Sequence, residues 1–331
     1  MAWIRGILAL AFASALLLST DWWLKRGAEE GPGKKWRLAF IQYIQSPEVD
    51  EAEAGVRAGL KESGLVEGED YEIIVRNASG DMPTMLGLIE AALQDRADML
   101  VTFSTPTLQA AINKTDRTPV VFTFVTDPVA AGAGRDYVDH RANVTGVYTH
   151  APCDAILDCV QEFIPGVRRI GTLTVPAEVN SVFLHQLLLA AAKKRDIEVV
   201  DLPLAAPSDV PDAAVALCTR RIDAMAIVAS NLTITTYPAI ASAARGAGLP
   251  IFGSATSQFN NGAVAVVAND FFDSGHGSGK LAARVLRGEN PGAIPFQPTS
   301  GTKLLLNGPA AERCGLKLPA ALRDRVHKVV E

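Results

Sequence analysis

The chain has 331 residues, a length that suits two lobes of about 150 residues better than one. Its 48% hydrophobic and 20% charged residues are ordinary for globular proteins and exclude disordered and collagen-like classes. A net charge of −5 argues against a nucleic-acid partner, four Cys are too few for a disulfide scaffold, and the five His stand at no zinc-ligand spacing, so no metal or other cofactor is expected.

Arg5 precedes the apolar run GILALAFASALLL at residues 6–18, with polar Ser19, Thr20 and Asp21 beyond it. A basic start before such a run reads as an export segment. No Cys follows the run, which excludes lipoprotein processing. Residues 3–24 could also span about 30 Å of hydrocarbon, with Trp22, Trp23, Lys25 and Arg26 at the interface. Residues 1–26 are therefore read as a signal peptide or an uncleaved anchor touching the membrane, and 27–35 (GAEEGPGKK) as a flexible linker. Either reading places the body in the periplasm or otherwise outside the cytoplasmic membrane.

From Trp36 short apolar runs alternate with segments of helical periodicity. Strands are expected at 37–43, 71–76, 99–103, 120–124 and 143–149, with helices at 49–63, 82–94, 107–113 and 154–163. The pattern restarts with strands at 169–174, 198–202, 224–229 and 250–253 and helices at 181–195, 212–221 and 237–246. A helix at 272–287 and a segment at 294–306 could return to either half. This order predicts an α/β protein of two doubly wound parallel-sheet lobes, with helices on both faces of each sheet.

Ligands of such sheets bind at the carboxyl ends of the strands, where helix N-termini point. After the first strand, Gln42 or Glu48 could face a cleft, or be ordinary loop polarity. Thr105 suits an N-cap and Pro106 a first helical position, making an anion seat or a plain cap. Asp127, before Pro128, could receive an ammonium group or only shape a turn. In the second half Asn180 and Asn231 offer donors and acceptors at helix starts, where capping would also explain them. The stretch Ser274-Gly275-His276-Gly277-Ser278-Gly279-Lys280 lacks the first Gly of a phosphate loop and has Leu281 where Ser or Thr would hold magnesium, so it is read as close helix packing through small residues. No nucleophile–base pair is implied at any strand end, so the chain is not expected to be an enzyme.

The order of these motifs resembles the ABC-transporter substrate-binding proteins typified by tryptophan- and other aromatic-amino-acid-binding members. The resemblance covers about residues 36–316. It is carried by the Gln42 strand end, Gly55…Gly59-Leu60…Gly64 with Glu67-Gly68, residues 104–110 (STPTLQA), 120–129 (VVFTFVTDPV), 143–147 (NVTGV), Glu178-Val179-Asn180-Ser181, and Gly279-Lys280 before 286–292 (LRGENPG). It implies a type I periplasmic-binding-protein fold with three crossover segments. Lobe 1 would comprise 36–166 plus 268–293, and lobe 2 would comprise 167–267 plus 294–331. The resemblance also implies ligand-facing roles for Gln42, Thr105, Thr107 and Asp127 from lobe 1, for Asn180, Ser230 and Asn231 from lobe 2, and for Asp270 near a crossover. Its members commonly carry Thr-Asp-Asn-Thr where this chain has Ser230-Asn231-Leu232-Thr233. Without that acid, Asp127 or Asp270 must match an ammonium, or the ligand is not an amino acid. The implied role is capture of a small molecule by hinge closure, with ABC permease subunits of the inner membrane as partners. The alternative is a membrane-tethered sensor that reports solute to a signalling partner.

Overall fold

The computed structural model describes residues 35–323 and 326–330. The segment 1–26 expected to be a signal peptide or anchor, and all but the last residue of the expected linker at 27–35, lie outside the described residues. Among the described residues no helix is long and apolar enough to cross a membrane.

The first lobe begins with β1 (Trp36–Gln42), α1 (Pro47–Glu62), β2 (Tyr71–Asn77), α2 (Met82–Gln94), β3 (Met99–Phe103), α3 (Thr105–Lys114), β4 (Val120–Val125) and β5 (Val144–Tyr148). The chain then crosses to α4 (Cys153–Phe163), β6 (Arg169–Thr174), α5 (Val179–Lys193), β7 (Glu198–Pro203), α6 (Val210–Cys218), β8 (Ala224–Ile227), α7 (Asn231–Ala247), β9 (Ile251–Gly253), α8 (Thr256–Asn260) and β10 (Ala265–Asn269). It returns through α9 (Phe271–Leu286) and β11 (Gln297–Pro298), and crosses a third time to β12 (Thr302–Asn307), α10 (Gly308–Arg313), α11 (Ala320–Arg323) and β13 (Lys328–Val330).

Two sheets result, in the orders β11-β5-β4-β3-β1-β2 and β13-β12-β10-β9-β8-β6-β7. Every pairing is parallel except β10 with β12. The expected α/β fold of two doubly wound lobes is thus present. Central strands such as β3 are buried along their whole length, as a sheet covered on both faces requires. One apolar cluster joins the lobes: Phe259, Val266 and Leu305 pack with Val49, Phe103 and Phe271.

Three local expectations are corrected. A lobe boundary at 166/167 puts α4 in the first lobe, but Ile156, Leu157 and Val160 share one buried cluster with Ile170 and Ala226 of the second sheet and Leu188 of α5. The helix expected at 237–246 begins instead at Asn231. A capping box between Ser230 and Thr233 starts it, and burial of Ile234, Tyr237 and Ile240 on the second sheet carries it through Pro238. A lobe boundary at 293/294 puts β11 in the second lobe, but Gln297 and Pro298 pair with Val147 and Tyr148 of β5 in the first sheet.

The glycines of α9 do what close helix packing asks. A Cβ on Gly275 would lie 2.0 Å from the Ala52 carbonyl oxygen, and one on Gly279 would lie 2.2 Å from that of Val56. From the facing helix, Gly55 and Gly59 would meet the carbonyl oxygens of Phe272 and His276 at 2.1 and 2.2 Å. This backbone-to-backbone contact holds α9 on α1 and so returns the chain to the first lobe.

Candidate functional site

The carboxyl ends of the two sheets face each other across a crevice. Its inner part is a cavity of about 40 Å³, lined by Ser104, Thr105, Phe124 and Thr126 from the first lobe and Asn180, Ser230, Asn231 and Ser254 from the second, with Thr149, Asn269 and Phe271 near the crossovers. An outer chamber of about 350 Å³ lies between residues 43–45 and Asn77, Ser79 and Gly80 on one side, and Glu178, Pro207, Leu232 and Thr235 on the other. Asn231 lines both.

Two helices start at the inner cavity. α3 has Ser104, not Thr105, as its N-cap: Ser104 stands outside the helix at φ 144°, and its hydroxyl makes no cap bond to the helix. Thr105 occupies the first helical position, and its hydroxyl accepts from the Thr126 N–H at 3.2 Å. The α3 N-terminus is therefore not capped by its own N-cap side chain and carries the partial positive charge of its first turn at the cavity that Ser104 and Thr105 line. α7 differs. Its first N–H groups, of Asn231 and Leu232, both donate to the Glu178 carboxylate at 3.0 Å. The anion seat at this helix is occupied by the protein's own side chain.

Glu178 collects two further donors, Asn231 Nδ2 at 2.9 Å and Asn180 Nδ2 at 3.1 Å. With its amide nitrogen engaged, Asn180 turns its Oδ1 away. That oxygen is buried and has no hydrogen-bond partner, in a residue only 6% exposed that lines the inner cavity. A buried acceptor without a donor is unfavourable by about 1–3 kcal/mol, so a ligand N–H placed there is strongly favoured.

Phe124 reaches the cavity by a backbone irregularity. It stands at φ 54°, and the β4–β5 register shifts between Phe122 and Val125. In a regular strand Phe122 and Phe124 would share a face. Here Phe122 belongs to the cluster on one side of the sheet and Phe124 packs with the cluster on the other. Its ring meets Phe271 edge-on, with centroids 4.9 Å apart.

Of the expected site residues, Thr105, Asn180, Ser230 and Asn231 come together at the inner cavity. Four do not line it. Gln42 is buried but satisfied, its Nε2 donating to Glu53 at 2.7 Å and its Oε1 accepting from Asn77 at 3.0 Å. Thr107 is fully buried and turns back to donate to the Ser104 carbonyl. Asp127 accepts from the Ala130 N–H, the Tyr137 hydroxyl at 2.6 Å and His150 Nε2 at 2.9 Å. Burial opposes its charge, yet these bonds hold its carboxyl below the usual value. Asp270 caps α9 and pairs with Lys303 at 3.0 Å. Neither acid is placed to meet an ammonium in the cavity. The nearby carboxylate is that of Glu178, which no local sequence signal separates from a plain helix cap.

The lobes touch directly across the crevice. Glu48, fully buried on α1, accepts from the Ser257 N–H of α8 at 2.7 Å, and Asn269 Nδ2 donates to the His150 carbonyl at 3.0 Å beside the crossovers.

Comparison with known proteins gives this geometry a context. Residues 37–330 match the family described as ABC transporter substrate binding protein. A tyrosine-binding protein of Clostridioides difficile (strain R20291) is 30% identical over 274 residues, covering 83% of this chain and 79% of that protein. The crystal structure of an ABC domain in complex with L-Trp from Streptococcus pneumoniae superposes with a TM-score of 0.86 at 25% identity, covering 90% of this chain and 100% of that one. The ligand-free, open structure of a substrate binding protein with adhesive properties from Clostridium difficile superposes with a TM-score of 0.70 at 26% identity, covering 89% and 99%. The fold is that of the type I periplasmic binding proteins.

Proposed function

The chain belongs to the ABC transporter substrate-binding protein family, and we propose that it captures an amino acid between its lobes outside the cytoplasmic membrane and delivers it to an ABC permease. The observation that carries this reading is the unpartnered, buried Oδ1 of Asn180, a residue that lines the same cavity as Ser104 and Thr105 at the start of α3. An α-amino acid presents both complements, an ammonium for the oxygen and a carboxylate for the helix amides.

The counter-charge missing from Ser230-Asn231-Leu232-Thr233 is supplied one bond further away. Glu178 accepts from Asn180 Nδ2, and the polarised amide presents its oxygen to the ligand. The ammonium is then matched without a carboxylate in direct contact.

Closure of the lobes completes the site, since Thr105 and Asn180 come from opposite sides of the crevice. Two relatives of nearly equal identity support a closed arrangement here. The L-Trp complex superposes at 0.86 and the open, ligand-free form at 0.70. A ligand bridging the lobes stabilises the closed form by contacts absent in the open one. Micromolar capture needs about −8 kcal/mol, within reach of a few desolvated hydrogen bonds and apolar burial.

Calorimetric titration against a panel of L-amino acids tests the reading. Saturable one-to-one binding of at least one member is expected, with L-tyrosine and L-tryptophan first in the panel because they name the ligands of two relatives. Heat from no member would refute it.

A further inference from the structure

β2 ends the first sheet. It pairs with β1 along its whole length and, among the described residues, with no other strand; a single bridge from Glu67 touches Tyr71 at its start. The Trp36 N–H donates to the Asp70 carbonyl and the Ala78 N–H to that of Gln42, so in this parallel register residues 72, 74 and 76 turn their backbone groups toward β1. The N–H and C=O of Ile73 and Val75 therefore point away from the sheet.

Sheet edges are commonly guarded by Pro, Lys, a bulge or a covering segment. β2 reads Tyr71-Glu72-Ile73-Ile74-Val75-Arg76-Asn77, carries no Pro or Lys, keeps an unbroken register with β1, and leaves Ile74 37% and Val75 45% exposed. β7, at an edge of the second sheet, differs. Its charges, Glu198 and Asp201, are both acidic and it ends in Pro203, so two copies of it would bring only acids together.

The two charges of β2 are opposite in sign and stand at equal distance on either side of Ile74. Antiparallel pairing of two β2 strands about a two-fold axis at Ile74 sets each Glu72 opposite Arg76 of the second copy, a close pair without backbone bonds, and Ile74 opposite its own copy. Ile73 then opposes Val75, and these are the residues whose outward backbone groups exchange both N–H···O bonds. No other register of the seven strand residues opposes unlike charges. Within its own chain Glu72 meets Arg37 through Oε1 at 2.9 Å and Arg76 meets Asp95 through Nη2 at 2.6 Å, which leaves each group further polar atoms for a partner.

We propose that two copies of this chain associate through β2, continuing the first sheet across a two-fold axis. Only the first lobe takes part, and the carboxyl ends of the strands, where the crevice lies, point in opposite directions in the two copies. The association therefore holds whatever ligand the crevice takes.

Sedimentation velocity of the full-length chain in mild detergent, across a concentration series, tests this. The wild type is expected to pass from monomer to dimer as concentration rises. Glu72→Arg and Arg76→Glu each set like charges opposite one another at both symmetric positions, and each weakens dimerisation about tenfold or more. An equimolar mixture of the two variants regains it, because every such position then opposes unlike charges. Val75→Pro removes an outward N–H, a change an edge strand tolerates, and gives monomer even should the charge reversals fold poorly. A wild-type chain that stays monomeric throughout overturns the proposal. So does a dimer that survives Val75→Pro or both charge reversals, and so does a mixture of charge variants, folded by circular dichroism, that stays monomeric.

Discussion

The Ser257 N–H at the start of α8 donates to the Glu48 carboxylate at 2.7 Å, joining the second lobe to the first through a side chain with no solvent exposure. The other oxygen of that carboxylate, Oε2, has no hydrogen-bond partner. Lobe opening would return the group to water, so its charge weighs against closure. Glu48→Gln keeps an acceptor for the Ser257 N–H and removes the charge. It should tighten ligand binding about fivefold, roughly 1 kcal/mol. Calorimetry reads the affinity, and weaker binding by Glu48→Gln would show that the charge itself favours closure.

Glu51, beside Glu48, gives this contact a pH dependence. Burial first, then the neighbouring Glu48 and Asp270 carboxylates, push its carboxyl above the ordinary 4.5, against Lys303 and a Thr256 hydroxyl bond that pull it down. Thr256 and Lys303 belong to the second lobe, so the closed form carries much of this environment. A carboxyl raised in the closed form binds its proton more tightly there, so its contribution is complete below 4.5 and is lost as pH rises through the raised value. Ligand affinity should therefore fall as pH is raised from 4.5 through that window, and Glu51→Gln should flatten the fall. An unchanged slope in the variant would contradict this.

Asp127 works in the opposite sense and on stability. Its carboxyl is held below 3.8 by His150, Tyr137 and the Ala130 N–H in spite of burial. The stabilisation is present above 3.8 and lost as pH falls through the lowered value. Asp127→Asn should cost about 2 kcal/mol at neutral pH in denaturant unfolding, with the difference from wild type shrinking as the solution is acidified below 3.8. A difference that stays constant with pH would remove the charge from the explanation.

The α1–α9 contact predicts a graded glycine series. Gly279→Ala places a methyl 2.2 Å from the Val56 carbonyl oxygen, a backbone atom that cannot step aside, and should destabilise by about 3 kcal/mol. Gly277→Ala, in the same helix, meets only the Val147 Cγ2 at 3.1 Å and should cost far less. Equal losses in thermal unfolding would mean that helix propensity, not packing, governs this stretch.

Much of the fold was legible because it rests on local signals. Apolar runs such as residues 99–103 and 120–124 mark buried parallel strands, and Gly275 and Gly279 read as close packing in the sequence before a partner helix was known. The lining of the inner cavity was legible only where a strand end and a helix start coincide, as at Thr105, Asn180, Ser230 and Asn231. Asp127 looked as available as Asn180, yet its partners Tyr137 and His150 lie 10 and 23 residues away and meet it only through the fold. Phe124 was hidden for the opposite reason. Strand alternation puts it beside Phe122, and a left-handed residue in mid-strand moves it to the other face. Glu178 was unrecognised because its role depends on two amides 53 and 54 residues further along the chain.

The most direct test of the account is a crystal structure of the chain grown with whichever panel amino acid binds. The account predicts closed lobes with the ligand ammonium in hydrogen-bond distance of Asn180 Oδ1 and its carboxylate at the first turn of α3. A ligand seated elsewhere, or one bound to a single lobe with the crevice open, would contradict it.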